Sequence, residues 1–334
     1  MIVYVGNIIS GHGKTATTIE TLGKLLQKEG FELKLTSNKQ NKILRLADML
    51  WAVFKYRKKL DYVLIDTYST TNFLYAYYVS KLCISLKIKY IPILHGGNLE
   101  ERLKSSKAKS ELIFKNAYAN ISPSLFLKTV FEKYGYSNLI HIPNNVELKV
   151  YPFKERKAVK AKLLWVRSFA EIYNPQLAIR VLHGLQLNGV DASMCMVGPR
   201  KDDSFEKTQQ LAKELDVEVT FTGRLSKEDW ISLSEDYDIF INTTKFDNTP
   251  VSLIEAMALG IPIVSTNVGG IPYLINDQKD GILVNPNNPI EMIFHIKKLV
   301  TTPEIAQQLS QNARKKAESF DWEIVKEQWK SLLM

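Results

Sequence analysis

Short apolar runs alternate with longer amphipathic stretches along almost the whole chain, and no other feature of the sequence constrains the fold as much. A parallel strand buried on both faces reads as a continuous apolar run, and its return crossover needs a helix. The pattern therefore predicts an α/β protein built of βα units. In the first half the expected strands are 2–6, 31–35, 62–65, 90–94, 119–121 and 139–142, with helices at 15–29, 43–59, 70–86 and 124–133. Around 143–160 the pattern breaks into a polar, basic, twice proline-interrupted stretch, read as an interdomain linker. It then restarts, with strands at 162–166, 192–197, 218–222, 238–242 and 262–266. Helices are expected at 175–188, 205–215, 227–235, 251–259, 289–301 and 304–318, and a last one begins at Trp322.

At 334 residues the chain exceeds one domain of ordinary size and suits two of about 150 each. The expected boundaries are 1–150 and 151–319, with the closing helix 320–334 returning to pack on the first domain. Two cysteines far apart exclude a disulfide scaffold and fit a reducing cytosol. The opening MIVYVGNIIS enters a strand with no basic segment before it, so no secretory leader is expected. No apolar run approaches the roughly 20 residues that cross a bilayer. The expected location is cytoplasmic, associated with the cytoplasmic face of the membrane.

A stretch ending in Gly13-Lys14-Thr15 invites a P-loop reading, but that motif requires glycine where Ile8 stands. Backbone amides must wrap closely round the phosphates, and a β-branched residue at that point works against this. The segment reads instead as a glycine-rich first βα loop, with Thr15 capping the helix that follows.

The strongest signal lies in residues 238–284, DIFINTTKFDNTPVSLIEAMALGIPIVSTNVGGIPYLINDQKDGILV. It reads as a strand, a polar loop, a helix starting near Pro250 with Thr249 as its N-cap, a second strand and a Gly-Gly turn. Asp247 in the loop and Glu255 on the helix can point from the strand ends towards one ligand. Gly269 and Gly270 offer backbone N–H groups where an anion could sit.

This stretch resembles the donor-binding region of family 4 glycosyltransferases, retaining enzymes of the GT-B fold. Four spaced elements carry the likeness: Asp247, Glu255-Ala256-Met257, Gly260-Ile261-Pro262 and Gly269-Gly270-Ile271-Pro272. The resemblance implies two Rossmann-like doubly wound domains facing across a central cleft that holds a nucleotide sugar. It implies that Glu255 binds the ribose hydroxyls, that Asp247 holds the donor sugar, and that amides near Gly269 and Gly270 meet sugar or phosphate. The segment LLWVRSF (163–169) resembles the family's strand ending in a diphosphate-contacting Arg, here Arg167. A fixed guanidinium would stabilise the leaving diphosphate without a metal.

VGPR (197–200) and FTGRL (221–225) resemble loops that hold the base and diphosphate, which brings in Gly198, Arg200, Gly223 and Arg224. His95, after the strand YIPIL, takes by resemblance a contact with donor sugar or acceptor. The catalytic set implied is Asp247, Arg167 and His95. The donor-binding set is Glu255, Gly198, Arg200, Gly223, Arg224, Lys245, Thr249, Gly269 and Gly270. No cofactor beyond the donor substrate and no metal is expected; Asp202-Asp203 reads as a solvated pair. Two positions depart from the family pattern: Ile172 stands where a Lys is usual, and Tyr273 where a Glu is usual. Lys245, Arg224 or backbone amides could replace that Lys.

The charge is lopsided. Residues 1–150 hold 22 Lys and Arg against 11 acids, and the remainder 22 against 24. A basic half suggests an anionic partner such as a membrane surface, nucleic acid or a phosphorylated acceptor. Along 42–59, Ile43, Leu46, Leu50, Trp51 and Phe54 form an apolar stripe, expected to pack on the core. The basic end of that helix, with Lys55, Arg57, Lys58 and Lys59, is expected to attract an anionic membrane, and a second basic run spans Arg102 to Lys109. The function implied is retaining, metal-independent transfer of a sugar to a glycan or lipid-linked acceptor hydroxyl. A nucleotide-sugar epimerase of the same architecture is the alternative enzyme. A nucleic-acid-binding protein is the alternative class, disfavoured because Asp247 and Glu255 would repel phosphates.

Overall fold

Two six-stranded parallel sheets organise the chain, a computed structural model described here at residues 1–9, 17–96 and 98–334. One unit comprises Met1–Pro143 with Lys326–Met334, and the other Asn144–Val325.

The first unit holds β1 (Ile2–Val5), β2 (Leu33–Thr36), β3 (Tyr62–Thr67), β4 (Tyr90–Leu94), β5 (Asn120–Ser122) and β6 (Leu139–His141). Their order is β2-β1-β3-β4-β5-β6, with every pairing parallel. The central strands are buried along their whole length, which is why their sequences are unbroken apolar runs. Crossover helices such as Lys42–Tyr56 and Phe73–Leu86 bury Met49, Val53, Ala76 and Val79 against them. The basic run after residue 98, expected only as a charge feature, folds as two short helices, Leu99–Ser105 and Lys107–Lys115.

The first helix begins at Thr18 and is capped by Thr17, whose N–H donates to the Glu20 carboxylate at 2.9 Å. Thr15, the cap expected from the sequence, lies outside the described residues, as do Gly11, Gly13 and Lys14. The chain's last helix, Trp322–Leu333, ends in this unit, where Lys326 and Lys330 pair with Glu29 at 3.5 and 2.8 Å.

The second unit holds β7 (Ala161–Val166), β8 (Ala192–Val197), β9 (Thr220–Gly223), β10 (Ile239–Asn242), β11 (Ile263–Thr266) and β12 (Ile282–Val284), ordered β12-β11-β10-β7-β8-β9. β12 was not expected: three residues after Gly281 are too few to show a period. The 143–160 stretch is not a free linker. Val146 bridges Asp321 through backbone bonds to Phe320 and Trp322, Tyr151 is fully buried, and the Arg156 guanidinium donates to the carbonyls of Leu259, Gly260 and Tyr237. Those bonds hold residues from 144 onward in the second unit, so the units part at Pro143 rather than at 150.

Candidate functional site

Loops leaving neighbouring strands of an open parallel sheet diverge where the strand order reverses, and ligands settle there, outside the carboxyl ends. In the second unit the reversal falls between β7 and β10. Arg167 is the first residue beyond β7, and Asp247 stands in the loop after β10. The fold brings them together: Arg167 Nη2 and Asp247 Oδ2 form a direct ion pair with both side chains mostly buried. Asp247 Oδ1 accepts the Asn248 N–H at 2.8 Å, and the guanidinium lies 4.4 Å from the Tyr173 ring centre. Burial pushes the arginine's pKa below its usual range, with Tyr173 acting the other way. It stays charged at ordinary pH. Its Nε is buried and has no hydrogen-bond acceptor among the described residues. A buried charged donor left unpaired is costly, so this corner is chemically fitted to receive an anion.

The two switch-point loops are fastened to each other. The Ile172 carbonyl accepts the Lys245 N–H at 2.8 Å and the Thr244 hydroxyl at 3.2 Å, and the Lys245 ammonium pairs with Glu171. Lys245 therefore stands beside position 172, whereas Arg224 is an exposed residue after the edge strand β9.

Glu255 sits in the helix Val251–Ala258 and is buried. Its Oε1 accepts the Tyr151 hydroxyl at 2.6 Å and lies 3.2 Å from Lys227 Nζ. Burial, reinforced by the Glu255 charge, raises the Tyr151 phenol far above its ordinary range, so it remains a donor. Tyr151 and Lys227 were missed from sequence; neither belongs to a motif, and only the fold sets them beside Glu255. Thr249 does not cap this helix. Pro250 occupies the N-cap with extended backbone, and Thr249 instead offers its carbonyl to Asn144 Nδ2 at 3.2 Å.

The glycines prove to be packing residues first. A Cβ on Gly198 would lie 1.8 Å from the Arg167 carbonyl oxygen, and one on Gly270 would lie 1.9 Å from that of Asn248. The Gly270 N–H is not open to an anion as expected, because it donates to the Asp247 carbonyl at 2.9 Å. A Cβ on Gly269 would likewise meet the Asp247 carbonyl, at 2.2 Å. This turn props up the Asp247 loop from behind. Gly223 alone among these four has open space where its side chain would be. Arg200 is held at the surface by Glu206, at 2.9 Å, and by the Phe205 ring. Asp202 and Asp203 are taken up locally by the Glu171 N–H and by Lys207.

In the first unit the order reverses between β1 and β3. There the buried Asp66 carboxylate, near the end of β3, accepts the Tyr4 hydroxyl and contacts His95 Nε2, both at 2.8 Å. His95 follows β4 directly, stacks on Tyr68 and so belongs to a carboxylate–imidazole pair. With the carboxylate accepting, Nε2 is the ring nitrogen that donates in this pair. No sequence motif joins Asp66 to His95; their tie comes from the parallel pairing of β3 with β4.

Comparison with known proteins identifies the family. The family model "Glycosyl transferases group 1" matches residues 149–316, which takes in every element of the second-unit site. An uncharacterized glycosyltransferase of Haemophilus influenzae is 28% identical over 208 residues, 60% of this chain and 57% of that protein. Another, from Methanocaldococcus jannaschii, is 22% identical, covering 71% of this chain and 66% of that protein. The chain thus spans little more than half to two thirds of these relatives.

Among solved structures, sucrose-phosphate synthase from Thermosynechococcus elongatus superposes with a TM-score of 0.81 at 16% identity, covering 99% of this chain and 97% of that one. Anabaena HepE in complex with UDP and glucose gives 0.78 at 15%, covering 99% and 98%. These likenesses show the GT-B fold. The fold, the switch-point site and the matched half of the chain lead to one assignment: the chain belongs to the glycosyl transferases group 1 family.

Proposed function

We propose that the protein is a retaining, metal-independent glycosyltransferase that moves a sugar from a nucleoside diphosphate sugar to an acceptor hydroxyl, in the synthesis of a cell-surface glycan or glycolipid. The observation that carries this reading is the Arg167 guanidinium, buried at the switch point with an Nε that has no acceptor among the described residues. Diphosphate oxygens supply the missing acceptor. Glu255, its Oε1 held by Tyr151, is oriented to accept from ribose hydroxyls, and Asp247 receives hydroxyls of the sugar. The structures of HepE with UDP and with UDP-glucose make a donor of this chemical class the first to try.

The acceptor oxygen bonds to the anomeric carbon on the face from which the phosphate leaves. The bond from that carbon to the phosphate oxygen breaks, and the acceptor proton passes to the departing phosphate. Arg167 stabilises the charge that develops there, with Lys245 beside position 172 as a second cation, in place of a metal. One observation favours the epimerase alternative, the Asp66–His95 pair, which could serve as an acid–base couple. Consumption of donor without any acceptor separates the two readings.

The test is nucleotide binding in EDTA. A nucleotide at a hundredfold excess over its Kd should stabilise the protein by about 2.7 kcal/mol. UDP, GDP, ADP and their sugar conjugates are compared by thermal unfolding on wild type and Glu255→Ala. Stabilisation by one nucleotide, lost in the variant, supports the donor site; no response to any of them removes it. NMR of the product's anomeric proton then reports retention or inversion.

A further inference from the structure

The helix Lys42–Tyr56 has apolar residues on two faces. Met49, Ala52 and Val53 bury against the sheet, as the core demands. Of the stripe expected on the core, Leu46 and Leu50 are partly buried and pack against it, yet Ile43 is 78% exposed, Trp51 60% and Phe54 42%. The neighbouring helix Phe73–Leu86 exposes Leu74, Tyr78 and Ile84 in the same way. Between the two helices lies a groove of about 520 Å³ lined by Leu50, Trp51, Phe54, Tyr78, Lys81 and Leu82. Contiguous exposed apolar surface of this kind marks a contact site on a folded protein.

The charge at its border identifies the partner. Lys55, Arg57, Lys58 and Lys59 crowd the end of the helix, and the Arg57 guanidinium lies 4.1 Å from the Phe54 ring centre. The acids of this stretch are engaged elsewhere: Asp48 accepts the Thr36 hydroxyl at 2.9 Å and Asp61 pairs with the N-terminus at 2.6 Å. Apolar and aromatic side chains flanked by cations of one sign are what an interfacial helix offers to anionic headgroups and the acyl boundary beneath them. A second copy docked face to face would bring two like-charged clusters together. Nucleic acid would match the charge and leave the apolar stripe wet.

We infer that this face docks on an anionic lipid bilayer, with Trp51 and Phe54 entering the interface and the lysines meeting the headgroups. The inference goes beyond the donor-site reading and is independent of it.

The sequence supplies its own reporter. Of five tryptophans, Trp165, Trp230, Trp322 and Trp329 are buried and Trp51 is exposed. The full chain is mixed with vesicles of phosphatidylcholine alone or with phosphatidylglycerol, some carrying brominated acyl chains. Binding is read by co-sedimentation and tryptophan quenching. The expected result is binding to the anionic vesicles only, with quenching that disappears in Trp51→Phe. Trp51→Ser with Phe54→Ser should weaken binding at least tenfold, and each of Lys58→Gln and Lys59→Gln about fivefold at low salt.

These positions are exposed, so an unchanged melting temperature and an unchanged nucleotide-induced shift keep fold and donor site intact as controls. No binding to anionic vesicles overturns the inference. So does binding without quenching that survives the Trp51 and Phe54 changes and is lost in Phe294→Ser, which would move the contact to the exposed Phe294 of the second unit. A concentration-dependent dimer that shields Trp51 without lipid overturns it in favour of a second copy.

Discussion

Replacing Tyr151 with Phe removes one oxygen atom, and its effect can be worked out from the structure. The phenol is buried and donates at 2.6 Å to Glu255 Oε1, whose other partner is the half-exposed Lys227. A hydrogen bond to a charged acceptor contributes about 1.5–3 kcal/mol net, and an exposed ammonium less than about 1 kcal/mol. Tyr151→Phe should therefore destabilise the unit spanning Asn144–Val325 by about 2 kcal/mol. For a body of that size each kcal/mol lowers Tm by about 2–4 °C, so calorimetry should show a fall of about 4–8 °C.

Binding should weaken as well. A carboxylate no longer held must be ordered when nucleotide arrives, which costs about 0.5–1.5 kcal/mol, or roughly two- to tenfold in Kd by titration calorimetry with the nucleotide that stabilises wild type. The pH dependence has a definite sign. Because folding raises the Tyr151 pKa, its contribution is fully present below the unfolded value of about 10 and is lost as pH rises above it. Above that point the variant's Tm should decline less steeply than that of wild type. A Tm within 1 °C of wild type with an unchanged nucleotide Kd would refute the view that Tyr151 holds Glu255.

Three further changes test other parts of the structure. Gly198→Ala drives a Cβ into the Arg167 carbonyl and should lower stability in urea by about 3 kcal/mol; a stable variant that still binds nucleotide would show the loop can move aside. Arg156→Ala leaves the carbonyls of Leu259, Gly260 and Tyr237 without their buried partner, and a shift in the urea midpoint worth about 3–5 kcal/mol is expected, with a shift under 1 kcal/mol counting against it. Asp66→Asn removes the charge that fixes the His95 tautomer, so kcat should drop about tenfold or more while the donor KM stays within twofold; an unaltered kcat would make the pair structural.

Most of the fold was legible because strands buried on both faces must be apolar throughout. Failures came where that signal was short or masked by charge. Ile282–Val284 is three residues long, and the helices Leu99–Ser105 and Lys107–Lys115 show few apolar positions among their lysines. The site was half legible. Asp247, Glu255 and Arg167 carry chemistry in recognisable spacing, and the fold gathers Asp247 and Arg167 into one ion pair. Their supports were hidden, because Tyr151 lies 104 residues from Glu255 and Asp66 lies 29 from His95, with only strand adjacency to join them. Periodicity gave the stripe on Lys42–Tyr56 but not its direction, since a helix with two apolar faces has two ways to turn.

The glycine packing has a consequence for how this family diverges. Gly198, Gly269 and Gly270 are required by the backbone of the Arg167 and Asp247 loops whether or not a sugar is ever transferred. A descendant that lost its chemistry would still be selected to keep them as long as it was selected to fold. Arg167 has no such insurance: its buried Nε has no acceptor among the described residues, and once nothing is bound that desolvated donor is a liability that drift removes. Active and silenced members should therefore differ at Arg167 while sharing Gly198, Gly269 and Gly270.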